Sequence, residues 1–366
     1  KVYEATTGTP TGMPLSEGFP AGTQVTDVSG IDPGVSSVFA TTKWGSTKPD
    51  PQTINSGVDN TGKSLVWIKN RDSSGQDYVL CDTVRQQSYF LSSNTDYTES
   101  PSPNRFVGVT PNGYTVGSDD ATNGNGQVGW NFRGAPNFFD IVTYFGDDVV
   151  GRQIPHSLTT KPGFIMCKTL SVTDNWHCYH SAEGATRYIK LNDSGGTISQ
   201  SSVWNNTEPT DTYFEVANNN GTNGPGIRYV AYLFAQDGPG IKCGSYFGSG
   251  SVQSIDTGFD TGWVLIKAAR ENGVWNIFDY KRPGMVLEPN NSSNERAEDV
   301  TLNEAGFRLG NGSLQFNFSG YKYIYVAIAK DAMGPGATAT GTVSAAADNT
   351  LSLTDVSGTW QAGSKA

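Results

Sequence analysis

A short apolar run that ends in lysine occurs three times in this chain of 366 residues. The three lysines are Lys69, Lys168 and Lys267, and successive copies lie 99 residues apart. One five-residue run of this kind is a weak signal. A run that returns at a fixed period indicates a repeated structural unit, because each unit of an array repeats the same strands and turns.

The segments that flank these runs recur in the same order. Before the run comes an aromatic residue followed by glycine: Trp44-Gly45, Phe145-Gly146 and Phe247-Gly248. After it come an apolar segment (Tyr78–Asp82, Trp176–His180, Trp275–Asp279) and an arginine (Arg85, Arg187, Arg282). Two strand-like segments close each copy: Gly113–Val116 and Gln127–Trp130, Tyr213–Val216 and Tyr229–Tyr232, Gly306–Leu309 and Tyr325–Ile328. This order predicts three homologous domains at residues 36–134, 138–236 and 240–331.

The composition and the turn signals predict an all-β fold. Charged residues make up 16% of the chain, below the roughly 25% of an ordinary globular protein. Short β-enriched runs are separated by turns such as Asn112-Gly113 and Asn220-Gly221, which suit connections between antiparallel strands. We therefore predict three tandem antiparallel β-sandwich (jelly-roll-like) domains of six to eight strands each. The short linkers at 134–136 and 236–240 predict that neighbouring domains touch and form a stiff array.

The two ends of the chain differ from the repeats. Residues 1–35 are rich in Gly, Pro, Thr and Ser, and we predict an extended N-terminal arm that packs on another body, or the end of a preceding domain. Residues 332–366 are predicted to contain a C-terminal hairpin around Asp348-Asn349. This segment is too short to bury a core, so we interpret it as the start of another module or as a segment that pairs with a neighbouring subunit.

Charge and motifs exclude several classes of function. The net charge of −10 argues against a nucleic-acid surface, which needs clustered Lys and Arg. No run of about 18 apolar residues is present, so the sequence predicts no membrane span. Nucleophile elbows, phosphate-binding loops and dinucleotide fingerprints are also missing from the sequence. We therefore predict a protein that is not an enzyme and has no cofactor.

The four cysteines are predicted to be reduced core residues. All four align with apolar positions of sibling repeats: Cys81 with Phe278, Cys167 with Ile68 and Ile266, Cys178 with Ile277, and Cys243 with Ile141. Cysteine in such positions behaves as a small hydrophobic residue. No spacing resembles a zinc site.

Acidic pairs and histidines are the other candidates for a metal site. Asp119-Asp120 and Asp147-Asp148 are interpreted as solvated turns, because neither belongs to a spaced pattern of oxygen ligands. His177 and His180 lie three residues apart on one predicted strand and so project from opposite faces. We predict structural roles for both histidines and no metal.

The recurring lysine has two interpretations. A lysine at the end of an apolar strand caps a sheet edge or pairs with a carboxylate, which maintains the fold, or it binds an anion. The pairs Asp82/Arg85 and Asp279/Arg282 recur with it. We interpret them as part of the same packing and favour a role in the fold.

One stretch has the composition of a binding surface. Trp204, Asn205 and Asn206 lie in a polar segment of the second repeat. An exposed tryptophan flanked by asparagine is suited to stack on a sugar ring and to bind its hydroxyl groups. The alternative is that Trp204 closes a loop over the sandwich.

Several longer motifs carry a resemblance to a known family. They are Leu65–Arg71, Tyr89–Asn94, Ile154–Leu158, Gly184–Tyr188, Trp204–Thr207 and Tyr229–Phe234. Together they resemble an uncharacterised repeat domain of tailed-phage virion proteins, found in tail fibres and surface proteins of marine phages and cyanophages. The similarity covers about 36–331. It implies a structural protein on the phage tail or capsid surface, and it implies no catalytic residues.

The leading hypothesis is a phage virion structural protein that acts as a tail fibre or adhesin in host attachment. Its predicted partners are other virion proteins, further copies of itself in a homo-oligomer such as a trimer, and a host-surface glycan. Three alternatives stay open. They are a capsid or tail decoration protein without a receptor role, a carbohydrate-binding array, and a capsule depolymerase.

Overall fold

The computed structural model describes residues 3–5, 24–27, 37–45, 51–330, 332, 340–347 and 350–357. Its regular structure is nearly all β, in several antiparallel sheets, which confirms the predicted fold class. The strands before and in the first repeat are β1 (Tyr3–Ala5), β2 (Gln24–Asp27), β3 (Phe39–Trp44), β4 (Gln52–Asn55), β5 (Ser64–Asn70), β6 (Val79–Asp82), β7 (Tyr89–Phe90), β8 (Ser100–Pro101), β9 (Phe106–Thr110), β10 (Gly113–Val116) and β11 (Gln127–Arg133). Helix α1 (Asp120–Asn123) precedes β11.

The second repeat contains β12 (Phe139–Phe145), β13 (Arg152–Pro155), β14 (Pro162–Thr169), β15 (His177–His180), β16 (Arg187–Lys190), β17 (Ile198–Ser199), β18 (Tyr213–Val216) and β19 (Arg228–Ala235), with helix α2 (Ser201–Trp204) after β17. The strand β20 (Asp237–Gly238) lies in the linker. The third repeat contains β21 (Ile241–Phe247), β22 (Gln253–Asp256), β23 (Thr261–Ala268), β24 (Asn276–Asp279), β25 (Met285–Val286), β26 (Arg296–Ala297), β27 (Val300–Asn303), β28 (Gly306–Leu309) and β29 (Lys322–Ala329). The repeats thus include two-residue strands that the sequence pattern did not predict.

Each repeat builds a main sheet and a small sheet. The main sheets have the orders β3-β11-β5-β6, β12-β19-β14-β15-β16-β17 and β20-β21-β29-β23-β24. The small sheets are β4-β10-β9, β13-β18 and β22-β28-β27. In the second repeat, α2 lies against β16 and β18, and only two strands form the small sheet. The second repeat is therefore the one that departs from its siblings.

The strand register fixes which residues of the three repeats are equivalent. Lys69, Lys168 and Lys267 lie opposite Val128, Val230 and Ile324, respectively, on the adjacent strand. Their strands β5, β14 and β23 are interior strands of the main sheets. The prediction that these lysines cap a sheet edge is therefore wrong.

Two sequence alignments also need correction. By register, Trp44 corresponds to Tyr144 and Tyr246, and not to the phenylalanines that follow them. The reason is a shared hydrogen bond, since each of these three side chains donates to a backbone carbonyl of the turn before the closing strand: Thr122, Thr222 and Phe316. The register also places Glu183, and not Arg187, at the position of Arg85 and Arg282, because His180 corresponds to Asp82 and Asp279.

The main strands are buried on both faces. In β5, Val66 and Ile68 pack in one cluster with Ile54 and Tyr114 of the small sheet. The alternate residues Leu65 and Trp67 belong to a second cluster that also contains residues of the other two repeats. This alternation is the ordinary two-residue period of a strand. In the first and third repeats, one face of the main sheet thus contacts the small sheet of its own repeat, and the other faces a common core.

The common core joins all three repeats. The ring centroids of Phe132 and Phe234 are 5.5 Å apart, and those of Phe132 and Trp263 are 5.7 Å apart. Phe164 and Trp275 are 5.8 Å apart. The first repeat therefore contacts the third as well as the second. Neighbouring repeats touch, as the short linkers predict, and the additional contact between the first and the third repeat closes the three on each other.

Strands from both ends of the chain form one further sheet. β30 (Thr340–Ala347) pairs with β31 (Thr350–Ser357), which confirms the predicted hairpin. β30 also pairs with β2, and β2 with β1. The remainder of the predicted N-terminal arm, 1–35, and of the segment 332–366 lies outside the described residues.

Candidate functional site

The recurring lysines bond across the contacts between repeats. All three are buried, and each Nζ donates to a backbone carbonyl of a neighbouring repeat: Lys69 to Ser292 (3.4 Å), Lys168 to Asp96 (3.1 Å) and Lys267 to Ser194 (3.3 Å). The same carbonyls also accept from backbone N–H groups of the lysine's own repeat: Gly75, Asp174 and Gly273. The three connections run from the first repeat to the third, from the second to the first, and from the third to the second.

A second set of buried hydrogen bonds follows the same cyclic order. Tyr232 Oη donates to Asp82 Oδ2 at 2.6 Å, and Trp130 Nε1 donates to Asp279 Oδ2 at 2.9 Å. We call these contacts the 1–2 seam and the 3–1 seam. In the 2–3 seam, His180 Nε2 lies 3.1 Å from the carbonyl oxygen of Tyr325. A buried hydrogen bond that involves a charged group contributes about 1.5–3 kcal/mol, so the aspartate contacts of the 1–2 and 3–1 seams stabilise the closed arrangement.

The 2–3 seam uses a different chemistry from the other two. Nδ1 of His180 accepts from the N–H of Ala182, where Asp82 and Asp279 accept with a carboxylate oxygen. The ring therefore carries its proton on Nε2 and donates to Tyr325. Burial lowers the pKa of His180 to about 4, because the charged ring is desolvated. His180 is neutral near pH 7.

Charge is reversed at one further position of this seam. Arg85 and Arg282 bond to the aspartates three residues before them, and the side chains of both pairs are fully or almost fully buried. Glu183 holds the equivalent position in the second repeat and forms ion pairs with Arg270 and Lys322 of the third repeat, at 3.2 and 2.8 Å. Arg85 and Arg282 thus form ion pairs within their own repeats, whereas Glu183 forms ion pairs between the second and the third repeat.

The remaining titratable candidates occupy structural positions. His177 stacks on Tyr188 with ring centroids 4.8 Å apart, away from His180. Asp119 accepts from the N–H of Ala121 at the start of α1, and Asp147 accepts from the N–H of Val149. Both aspartates thus cap turns, and the described residues contain no group of side chains arranged to hold a metal ion.

The cysteine prediction is confirmed. All four cysteines are free and buried: Cys81, Cys167, Cys178 and Cys243. The register agrees with the predicted equivalences, since Cys178 and Ile277 lie opposite the same position of their neighbouring strands. Burial raises the pKa of Cys81 and of Cys167 to about 12. These thiols are poor nucleophiles at neutral pH, because the thiolate is the reactive form.

A groove of about 300 Å³ opens where the second repeat meets the third. Lys161, Tyr179 and Glu208 of the second repeat line it, together with Gly244 and Ser245 of the third. Gly244 permits close packing here, because a Cβ atom at this position would lie 2.5 Å from the ring of Tyr325. We call this feature the 2–3 groove.

The acidic group of the 2–3 groove is held in place. Glu208 Oε2 accepts from Tyr179 Oη at 2.5 Å, and Oε1 accepts from the N–H of Ala185 at 2.7 Å. Burial, and then the hydrogen bond to Glu208, raise the pKa of Tyr179 well above its ordinary value. The phenol therefore keeps its proton and donates to the carboxylate. The arrangement orients a carboxylate at the surface, and each carboxylate oxygen has a further lone pair with which to accept a hydrogen bond.

Trp204 supports the 2–3 groove from below and does not form an exposed platform. Its side chain is 1% exposed and packs edge to face against Tyr179 and Phe214, with centroids 6.2 Å apart in each pair. The prediction of an exposed stacking surface is wrong for this residue, because α2 turns the indole into the core. Asn205 adopts a left-handed conformation and donates to Glu215, while Asn206 is exposed. A role of these two asparagines in binding stays a prediction.

The groove residues Tyr179, Glu208, Lys161 and Ser245 were missed by the sequence analysis. A signal was present at one of them. Tyr179 has a hydroxyl group where the sibling repeats have Cys81 and Phe278, so the second repeat adds a polar atom to a core position.

These features define a class of protein, an all-β repeat protein whose three copies are joined cyclically around a shared core. Among the described residues, no helix has the length and hydropathy needed to cross a membrane. The chain belongs to the family described as "Domain of unknown function (DUF7483)", which matches residues 36–332. This single match spans all three repeats, as does the common core. No curated protein and no solved structure matches the chain.

Proposed function

We propose that the chain is a non-catalytic structural protein of a phage virion, of the tail-fibre or adhesin type, that contributes to host attachment. The observation that carries the proposal is the use of the recurring charged residues. The three lysines donate across the seams, and the pairs Asp82/Arg85 and Asp279/Arg282 are buried beside them. Charged groups that are buried and hydrogen-bonded in this way stabilise the contacts between the repeats, and they are not free to act on a substrate.

Two further points support this proposal. The motifs of the sequence resemble those of phage virion repeat domains. A body closed by three seams also holds its surface loops and grooves at fixed distances from each other. Fixed geometry favours multivalent contact with a surface, because weak contacts add when they can form at the same time.

The location of the protein tests the proposal. Antibodies raised against the purified full chain would be applied to particles of a phage whose genome encodes it, and the particles would be viewed by electron microscopy. We expect label on the tail fibres. Label on the capsid or tail tube would favour a decoration protein instead, and particles without label would contradict a virion role.

A further inference from the structure

We propose that the 2–3 groove binds one ring of a neutral saccharide. The inference deepens the proposed attachment function and rests on it for the source of the ligand, a glycan of the host surface. It concerns residues other than the Trp204–Asn206 stretch that the sequence singled out.

The polar side chains of the groove match a ligand with several hydroxyl groups. Lysine only donates hydrogen bonds, a carboxylate only accepts them, and serine and glutamine do both. The groove combines these types in Lys161, Glu208, Ser181, Gln236 and Ser245. A hydroxyl group also donates and accepts, so a polyhydroxylated ring satisfies all of them. The opposite charges of Lys161 and Glu208 disfavour a ligand with a strong charge of either sign.

These side chains are available to a ligand. Within the part of the chain that the structure describes, Lys161, Ser181, Gln236 and Ser245 form no side-chain hydrogen bond or ion pair with the protein. Glu208 is oriented by Tyr179 and Ala185 but is itself exposed. The polar groups therefore converge on the same space without saturating each other.

The floor and the size of the groove fit one sugar ring. Pro162, Pro209 and the partly exposed Ala182 line the groove with apolar atoms, which suits the C–H face of a sugar. The volume of about 300 Å³ lies at the lower end of the roughly 300–1,000 Å³ of small-molecule pockets. A single ring fills such a space, and the rest of the glycan projects through its open side.

The 2–3 groove is larger than the pocket at the equivalent position of the 1–2 seam, which has a volume of about 110 Å³ and is lined by residues that include Val84, Arg85 and Thr143. At the 1–2 seam, Lys63 pairs with Asp140 at 2.6 Å. By register, Lys161 corresponds to Lys63 and Lys242 to Asp140. Two lysines cannot form the ion pair that closes the other seam, so Lys161 is left to face the groove. Glu208 comes from the segment after α2, where the siblings have a strand.

The test is a titration of the full chain with methyl glycosides of glucose, galactose, mannose and N-acetylglucosamine, followed by saturation-transfer NMR. We expect at least one glycoside to bind with a Kd of about 1 mM, as weak single-ring contacts do. Ser245→Tyr fills the groove from its exposed rim and is expected to weaken binding at least about tenfold. Its matched control is Thr143→Tyr, at the equivalent exposed position of the 1–2 seam, which should change binding less than about twofold.

Lys161→Met is a second variant that tests saccharide binding without filling the groove. It removes the donor at an exposed position and is expected to weaken binding about three- to tenfold with an unchanged unfolding temperature. Failure of all four glycosides to bind the wild-type chain would overturn the inference. So would binding of inorganic phosphate alone, or equal losses in Ser245→Tyr and Thr143→Tyr.

The results separate this inference from the proposed function. Virions labelled by antibody, with no saccharide bound by the chain, would overturn the groove assignment and leave the virion role standing. Saccharide binding that depends on Ser245, together with unlabelled virions, would support the groove and contradict the virion role.

Discussion

Replacement of Lys267 by methionine tests how the buried ammonium group at the contact between the third and the second repeat changes the free energy of unfolding with pH. The Nζ atom is buried and donates to the carbonyl oxygens of Ser194 and Ala268 at 3.3 and 2.9 Å. Burial lowers the pKa of Lys267 from 10.5 to about 8. Between these two values the unfolded chain binds the proton more tightly than the folded chain. The free energy of unfolding contributed by this lysine therefore rises with pH from about 8 to 10.5, and is lost as the pH falls through 8.

The pKa shift sets the size of the effect. One pKa unit corresponds to about 1.4 kcal/mol. Between pH 7 and pH 9 the folded lysine loses most of its proton and the unfolded lysine keeps it, which adds about 1.4 kcal/mol to the stability of the wild type. Lys267→Met lacks this contribution. The wild-type free energy of unfolding, minus that of the variant, should therefore increase by about 1.4 kcal/mol from pH 7 to pH 9.

The assay is urea unfolding at pH 7 and pH 9, followed by tryptophan fluorescence. The cysteines of the unfolded chain also titrate in this range, but their contribution is the same in the two proteins and cancels. The matched control is Lys281→Met, because Lys281 is exposed and its replacement removes the same charge from the surface. A difference that stays constant for Lys267→Met, or changes equally for Lys281→Met, would refute the reasoning.

Three further predictions follow from burial. Burial lowers the pKa of His180 from 6.5 to about 4, so its contribution to stability is lost as the pH falls below 6.5. Urea unfolding should show the difference between the wild type and His180→Gln shrinking by about 2 kcal/mol from pH 7 to pH 4.5. In the same assay, Trp204→Ala should lower the free energy of unfolding by about 3–5 kcal/mol, as expected for loss of a buried indole. Loss of an exposed tryptophan would lower it by less than about 0.5 kcal/mol. Ellman's reagent should label no cysteine in the folded chain and all four after unfolding, because all four are buried.

The repeat and its core were readable from the sequence because both depend on local pattern. The 99-residue period places Lys69, Lys168 and Lys267 in equivalent register, and the alignment puts the cysteines in the core. The closure of the repeats was not predicted, because it depends on contacts such as Tyr232 to Asp82 and Trp130 to Asp279 between distant segments. One signal pointed to it. The continuous apolar run Leu65–Ile68 is typical of a strand covered on both faces.

The candidate groove was harder to predict because it depends on where the second repeat differs from its siblings. Trp204 has polar neighbours in sequence, yet the single turn of α2 directs Val203 and Trp204 into the core and leaves Asn206 exposed. Sequence polarity averages over both sides of such a turn. Glu208 has no counterpart in the other repeats, so the alignment offered nothing to compare it with.

The central claim is that the three repeats of one chain close on each other, and a cross-link between the first and the third tests it most directly. Lys43 and Lys281 are both exposed, and Nζ of Lys43 lies 3.2 Å from the carbonyl oxygen of Lys281. The chain would be treated with a bis-succinimidyl reagent, and the monomer fraction would be digested and analysed by mass spectrometry. We predict a peptide pair that joins Lys43 to Lys281. A monomer in which neither lysine is linked to the other repeat, while nearby lysines within each repeat are linked, would contradict the closed arrangement.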